Sequence, residues 1–89
     1  MNNLIKRCEG IVEADIDGET VMMSIENGEY YGLNEVASRI WALVEQPFSE
    51  QNICDALHHD YDATPSQIRD EVRAFINDMV EKRIIQIVS

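Results

Sequence analysis

From Ile11 to Ile16 the chain alternates Val12, Ala14 and Ile16 with Glu13 and Asp15, the period-two pattern of a half-buried strand. Asp17-Gly18 supplies a two-residue turn that tolerates positive φ. A second strand runs from Thr20 to Ile25 with Val21, Met23 and Ile25 on one face. Asn27-Gly28 then turns the chain into Tyr30-Tyr31-Gly32-Leu33. The pattern predicts a three-stranded antiparallel meander in which Ala14 faces Val21, Val12 faces Met23 and Ile25 faces Tyr30. The continuous apolar face so formed is the expected core side. The other face carries Glu13, Asp15, Thr20 and Ser24, with Met22, Tyr31 and Leu33 near the third strand. A longer second loop would turn Tyr31 and Leu33 inward.

After Leu33 the period changes. Asn34 is a good N-cap, and Val36, Ile40, Leu43 and Val44 recur at helical spacing with Trp41 on the flank until Gln46-Pro47 ends the run. Ser49 caps a second helix carrying Ile53, Ala56 and Leu57, whose pattern fades near Asp62. Thr64-Pro65-Ser66-Gln67 combines a cap, a proline at the first helical position and a glutamine three residues after the cap. It predicts a long helix from Pro65 to about Lys82. Ile84 to Val88 is β-branched apart from Gln86 and suits a short last strand. Strands first and helices afterwards make an α+β arrangement: a three-stranded antiparallel N-terminal sheet followed by three helices, winged-helix-turn-helix-like, in one unit over residues 1–89 with its core at about 10–88.

Charge narrows the function. Seven Lys and Arg stand against seventeen Asp and Glu, a formal net charge of −10 over 89 residues. Nucleic-acid affinity comes largely from cations that neutralise phosphates, so this balance argues against a nucleic-acid partner, and equally against an anionic membrane surface. No run approaches the roughly 20 apolar residues of a membrane span, and Met1 to Cys8 has no secretory pattern. The expectation is a cytoplasmic protein. Cys8 and Cys54 form no CxxC pair, so both are expected reduced. A chain this short has little material to wall off a deep active site.

Candidate chemistry is sparse. His58-His59-Asp60 has metal-ligand residue types, but neighbours on a helix point about 100° apart and do not close one site, so no metal is expected. Neither cysteine nor any serine sits in a nucleophile motif, and the glycines form no phosphate-cradling loop, which leaves no catalytic residue and no cofactor to nominate. The third helix is more informative. Ile68, Val72, Phe75 and Met79 form a narrow core stripe. Roughly 90° round from it, Arg69, Arg73, Ile76 and Val80 mix two guanidiniums with two aliphatics. Those residues either widen the core stripe and form surface ion pairs, or make one wall of a binding groove. The third strand is an edge strand of the meander, with main-chain groups from Glu29 to Leu33 free to pair with a visiting peptide.

The order of motifs (a DGE hairpin, NGEYYGLNEVASRIWALVE, a short SEQNICDAL helix, and a TPSQIRDEVRAFINDMVEKRIIQIV ending) resembles the PqqD-like family of precursor-peptide recognition elements in ribosomal peptide biosynthesis. It resembles most the standalone members of lasso-peptide pathways. The likeness runs from about Gly10 to Val88, and its most specific stretch is Tyr30-Tyr31-Gly32-Leu33-Asn34 followed by Ala37 and Ile40-Trp41. It implies a non-enzymatic protein whose partner is a precursor leader peptide. The leader adds a strand along Glu29, Tyr30, Tyr31, Gly32 and Leu33, with Arg69, Val72, Arg73, Ile76 and Val80 as the expected helix wall. It further implies delivery of the precursor to a leader peptidase, a transglutaminase-like cysteine protease, and then to an ATP-dependent cyclase. Two alternatives are a pyrroloquinoline-quinone-type peptide chaperone serving a radical enzyme and a winged-helix DNA-binding protein. Against the second, the third helix sets Asp70, Glu71, Asp78 and Glu81 against Arg69, Arg73, Lys82 and Arg83 and is not a basic recognition helix.

Overall fold

Each helix begins where a side-chain oxygen takes up a free backbone N–H. In the computed structural model, which describes residues 3–17 and 19–88, Asn34 Oδ1 accepts from the Ala37 amide at 2.8 Å and opens α1 (Glu35–Leu43). Ser49 Oγ accepts from Asn52 at 3.1 Å and opens α2 (Glu50–Asp60). At α3 (Pro65–Glu81) the capping is reciprocal: Thr64 Oγ1 accepts from the Gln67 amide, and Gln67 Oε1 accepts from the Thr64 amide. Helix α3 ends in a Schellman arrangement, with Ile84 N–H donating to Met79 O and Arg83 N–H to Val80 O. Arg83 takes the left-handed position at φ 61°, which glycine usually fills.

The expected meander is present as β2 (Ile11–Ile16), β3 (Glu19–Ser24) and β4 (Tyr30–Leu33), in sheet order β2-β3-β4. Ala14 faces Val21 and Val12 faces Met23, as the two-residue first turn requires. Asp17 has φ 53°, and Gly18 lies outside the described residues. The second turn is longer than expected. Gly28, at φ 70°, donates to Ser24 O, Ser24 N–H donates to Glu29 O, and Tyr30 therefore faces Met23 and not Ile25.

A second three-stranded sheet was not expected. Its order is β5-β1-β6, with β1 (Leu4–Arg7) central between β5 (Phe48–Ser49) and β6 (Ile85–Val88). It makes the winged-helix description approximate. Ile5 on β1 is only 2% exposed and belongs to the core.

The larger correction concerns which face of β2-β3-β4 is inside. A shift of two in the second pairing keeps the same residues on the same faces, because side chains alternate with period two. The core nevertheless lies under the face that holds Met22, Ser24 and Leu33, all buried, with Tyr31 half-buried beside them. The reason is the connection. Asn34 alone separates β4 from α1, so the helix folds back onto the side to which Leu33 points, and α1 packs on β3 and β4. Met22 and Leu33 then join Ile40, Trp41, Val44, Val72 and Met79 in one cluster.

A polar clamp fixes this sheet to the helices. The Trp41 indole N–H donates to Glu13 Oε2 at 2.6 Å, and the Arg7 guanidinium lies 4.0 Å from the centre of the Trp41 ring while Nη2 donates to the Trp41 carbonyl at 2.6 Å. Arg7 also pairs with Glu13 at 3.4 Å. Glu13, which the alternation reads as a solvent position, is thereby the link between β1, β2 and α1.

Candidate functional site

Among the described residues β4 pairs with β3 on one side only, so its other edge is free. The Ser24 N–H to Glu29 O bond marks residues 29, 31 and 33 as those whose main-chain groups face β3. By alternation, Tyr30 and Gly32 present their N–H and C=O groups outward. The Tyr30 side chain is 71% exposed, and Leu33 anchors the strand at 6%. An added Cβ at Gly32 would meet nothing within 4 Å, so the chain itself does not demand glycine there.

Tyr31 stands at the inner side of this edge. Its hydroxyl donates to Glu29 Oε2 at 3.1 Å and accepts from Asn27 Nδ2 at 3.3 Å. Loss of water around the half-buried ring, followed by the hydrogen bond to the Glu29 carboxylate, pushes the phenol above its ordinary value, so it remains a donor at neutral pH. Lys82 Nζ lies 5.2 Å from the ring centre and bonds both oxygens of Asp78 at 2.7 Å.

The helix flank that meets this edge differs from the expected one. An open cleft of about 410 Å³ runs between Glu29 and Tyr31 on one side and Asp78, Glu81 and Lys82 on the other. A second, about 240 Å³, lies further along α3 between the start of α1 and Glu71, Ala74 and Phe75. At about 100° per residue, Glu71, Ala74, Phe75, Asp78 and Lys82 occupy one arc of α3, and Arg69, Arg73, Ile76 and Val80 the arc opposite. Val72 and Ile76 are buried in the core, and Val80 is 37% exposed. Arg69 and Arg73 open onto a polar cleft with Ser49, Glu50 and Cys54, where Arg73 Nε pairs with Glu50 at 3.0 Å. Core periodicity locates the buried stripe of a helix and leaves its two flanks equivalent. Only the path of the chain decides which one borders β4, so Glu71, Ala74, Asp78 and Lys82 carried no signal in the sequence beyond being polar or small. Phase placed Phe75 within the core stripe.

Other candidate chemistry stays scattered. His58 and His59 are exposed on the last turn of α2, and no group of three or more possible metal ligands occurs among the described residues. Both cysteines are free and half-buried. Burial first, then Glu26 beside Cys8 and Glu50 beside Cys54, pushes each thiol above its ordinary value and keeps it in the less nucleophilic protonated form. No helix among the described residues is long and apolar enough to cross a membrane.

A meander with one free edge, three capped helices and a groove between that edge and the last helix defines the fold of a known class. Residues 19–85 match the family described as coenzyme PQQ synthesis protein D (PqqD), and the chain belongs to it. Among solved structures it is similar to TbiB1 in complex with the TbiA(β) leader peptide, at 31% identity and a TM-score of 0.84 over 91% of this chain and 94% of that one. It is also similar to a lasso peptide synthetase B1 complexed with the leader peptide, at 20% identity and a TM-score of 0.82 over 92% and 96% of the two chains. The PqqD truncation of Methylobacterium extorquens PqqCD, described as a stand-alone recognition element, shares the fold at 19% identity and a TM-score of 0.76 over 93% and 88%. No curated protein matches the chain.

Proposed function

We propose that this chain is a non-catalytic recognition element that binds the leader segment of a ribosomally made precursor as an added strand on β4. Tyr30 and Gly32 pair with the leader through their outward main-chain groups, and Glu29, Tyr31 and Leu33 hold the strand in place. The wall of the groove on α3 is Glu71, Ala74, Phe75, Asp78 and Lys82, in place of Arg69, Val72, Arg73, Ile76 and Val80. The observation that carries this reading is the free β4 edge beside an open cleft, in a chain 31% identical to a protein solved with a leader peptide. The pathway proposed is lasso-peptide assembly, with hand-over to a cysteine leader peptidase and an ATP-dependent cyclase in the cytoplasm. The family description favours one other reading, a peptide chaperone for a radical enzyme of quinone-cofactor synthesis. The genes beside this one distinguish the two.

The test is fluorescence anisotropy of a labelled leader from the nearest precursor gene, with a scrambled leader and a DNA duplex as controls. Saturable binding of the leader alone supports the proposal. Saturation by the scrambled peptide, or by DNA, overturns it.

A further inference from the structure

The face of β2-β3-β4 that turns away from the core is apolar and uncovered. Its register builds two rows across three strands, Val12–Met23–Tyr30 and Ala14–Val21–Gly32, with Ile16 and Ile25 at the ends. Val12, Ile16, Ile25 and Tyr30 are 49%, 55%, 62% and 71% exposed. The fold itself does not use this face, since α1 covers the opposite one. Apolar patches of this contiguity on a soluble surface mark interaction sites.

Charge says what kind of partner fits. Between Cys8 and Ser38 the chain carries eight carboxylates and no lysine or arginine. Glu13 pairs with Arg7 and Glu26 with Arg83, while Glu9, Asp15, Asp17, Glu19, Glu29 and Glu35 form no ion pair among the described residues. Asp17 and Glu19 border the patch at the first hairpin, whereas Glu26 and Glu29 turn to the cleft beside α3 on the opposite side. A second copy would bring like charges together, and an anionic lipid surface would be repelled.

We infer that this outer sheet face is a docking surface for a second protein that presents an apolar patch bordered by lysine and arginine. The acidic first hairpin steers such a partner into place, and the apolar rows hold it. The partner's identity as a processing enzyme of the same pathway rests on the recognition reading above, whereas the surface does not.

The test measures binding of the full chain to the leader peptidase and the cyclase encoded beside it, at low and high salt, with leader affinity recorded in parallel. Val12→Thr/Val21→Thr removes apolar contact while keeping strand preference, and Asp17→Lys/Glu19→Lys reverses the border. All four positions lie off β4. The expected result is binding of one enzyme that weakens with salt and falls roughly tenfold or more in either variant, with leader affinity and the circular-dichroism spectrum unchanged. Unchanged enzyme affinity in both variants overturns the inference. So does a chain that binds its leader and neither enzyme, or a dimer that the threonine variant dissolves. If the leader fails to bind while enzyme binding responds to the variants, the recognition reading falls and the docking surface stands.

Discussion

Proline at position 30 separates strand addition from other ways of holding a peptide. The Tyr30 N–H points away from β3, so Tyr30→Pro removes a donor that the chain does not use internally, and proline is tolerated at an edge position of this kind. A visiting strand opposite Tyr30 and Gly32 has two N–H and two C=O groups to pair with. Losing one bond forfeits about 0.5–1.5 kcal/mol, and a carbonyl of the peptide left dry and unpaired raises the loss to about 1–3 kcal/mol. Leader affinity should therefore drop by roughly five- to a hundredfold. The assay is the anisotropy titration, with thermal unfolding as a control that should show little change. Tyr31→Pro is the companion variant, because its N–H faces β3 and its loss should unfold the sheet edge instead. If Tyr30→Pro folds and binds the leader as tightly as the wild type, main-chain pairing at β4 is refuted.

Four further outcomes are expected. Phe75→Asp should weaken leader binding at least as much as Tyr30→Pro, while Arg69→Glu/Arg73→Glu should leave it within about twofold, because the arginine flank lies across the helix from the groove and its exposed ion pair is worth about 0–1 kcal/mol. Met22→Ala should cost about 2–5 kcal/mol in chemical denaturation, and Val12→Thr on the opposite face about 0.5 kcal/mol or less, which reads out directly which sheet face is inside. Trp41→Phe removes the indole donor to a half-exposed Glu13 and part of a buried ring, and should cost more than the roughly 1 kcal/mol of the hydrogen bond alone by the same measurement. Arg83→Gly should stabilise by about 0.5–1 kcal/mol, since the left-handed backbone is relieved and the ion pair lost to Glu26 is exposed.

Local chemistry was legible in the sequence wherever a residue's own neighbours decide its conformation. All three helix starts follow from Asn34, Ser49 and Thr64, and the first hairpin register from Asp17-Gly18. What needed tertiary information was not legible. Leu4 to Arg7 is too short to alternate, and its partners lie more than forty residues away at Phe48 and Ile85 to Val88. The apolar alternation of Val12, Ala14 and Ile16 points outward because burial is settled by which side α1 takes. The acidic alternate, Glu13, sits on the core-side face and holds Trp41 and Arg7 while staying half-exposed. For the candidate site, the β4 edge followed from the meander alone, whereas the flank of α3 beside it did not.

The placement of β1 also bears on how the chain is made. It precedes every other element described and sits between two strands, one of which is β6, so the Leu4 to Val88 pair closes all the elements between them into one loop. Contacts of that separation form late, because closing the loop must precede any gain from the pairing. On a ribosome, the helices and the β2-β3-β4 meander can form before β6 emerges, and Ile5 waits unburied until that strand arrives to pair with β1.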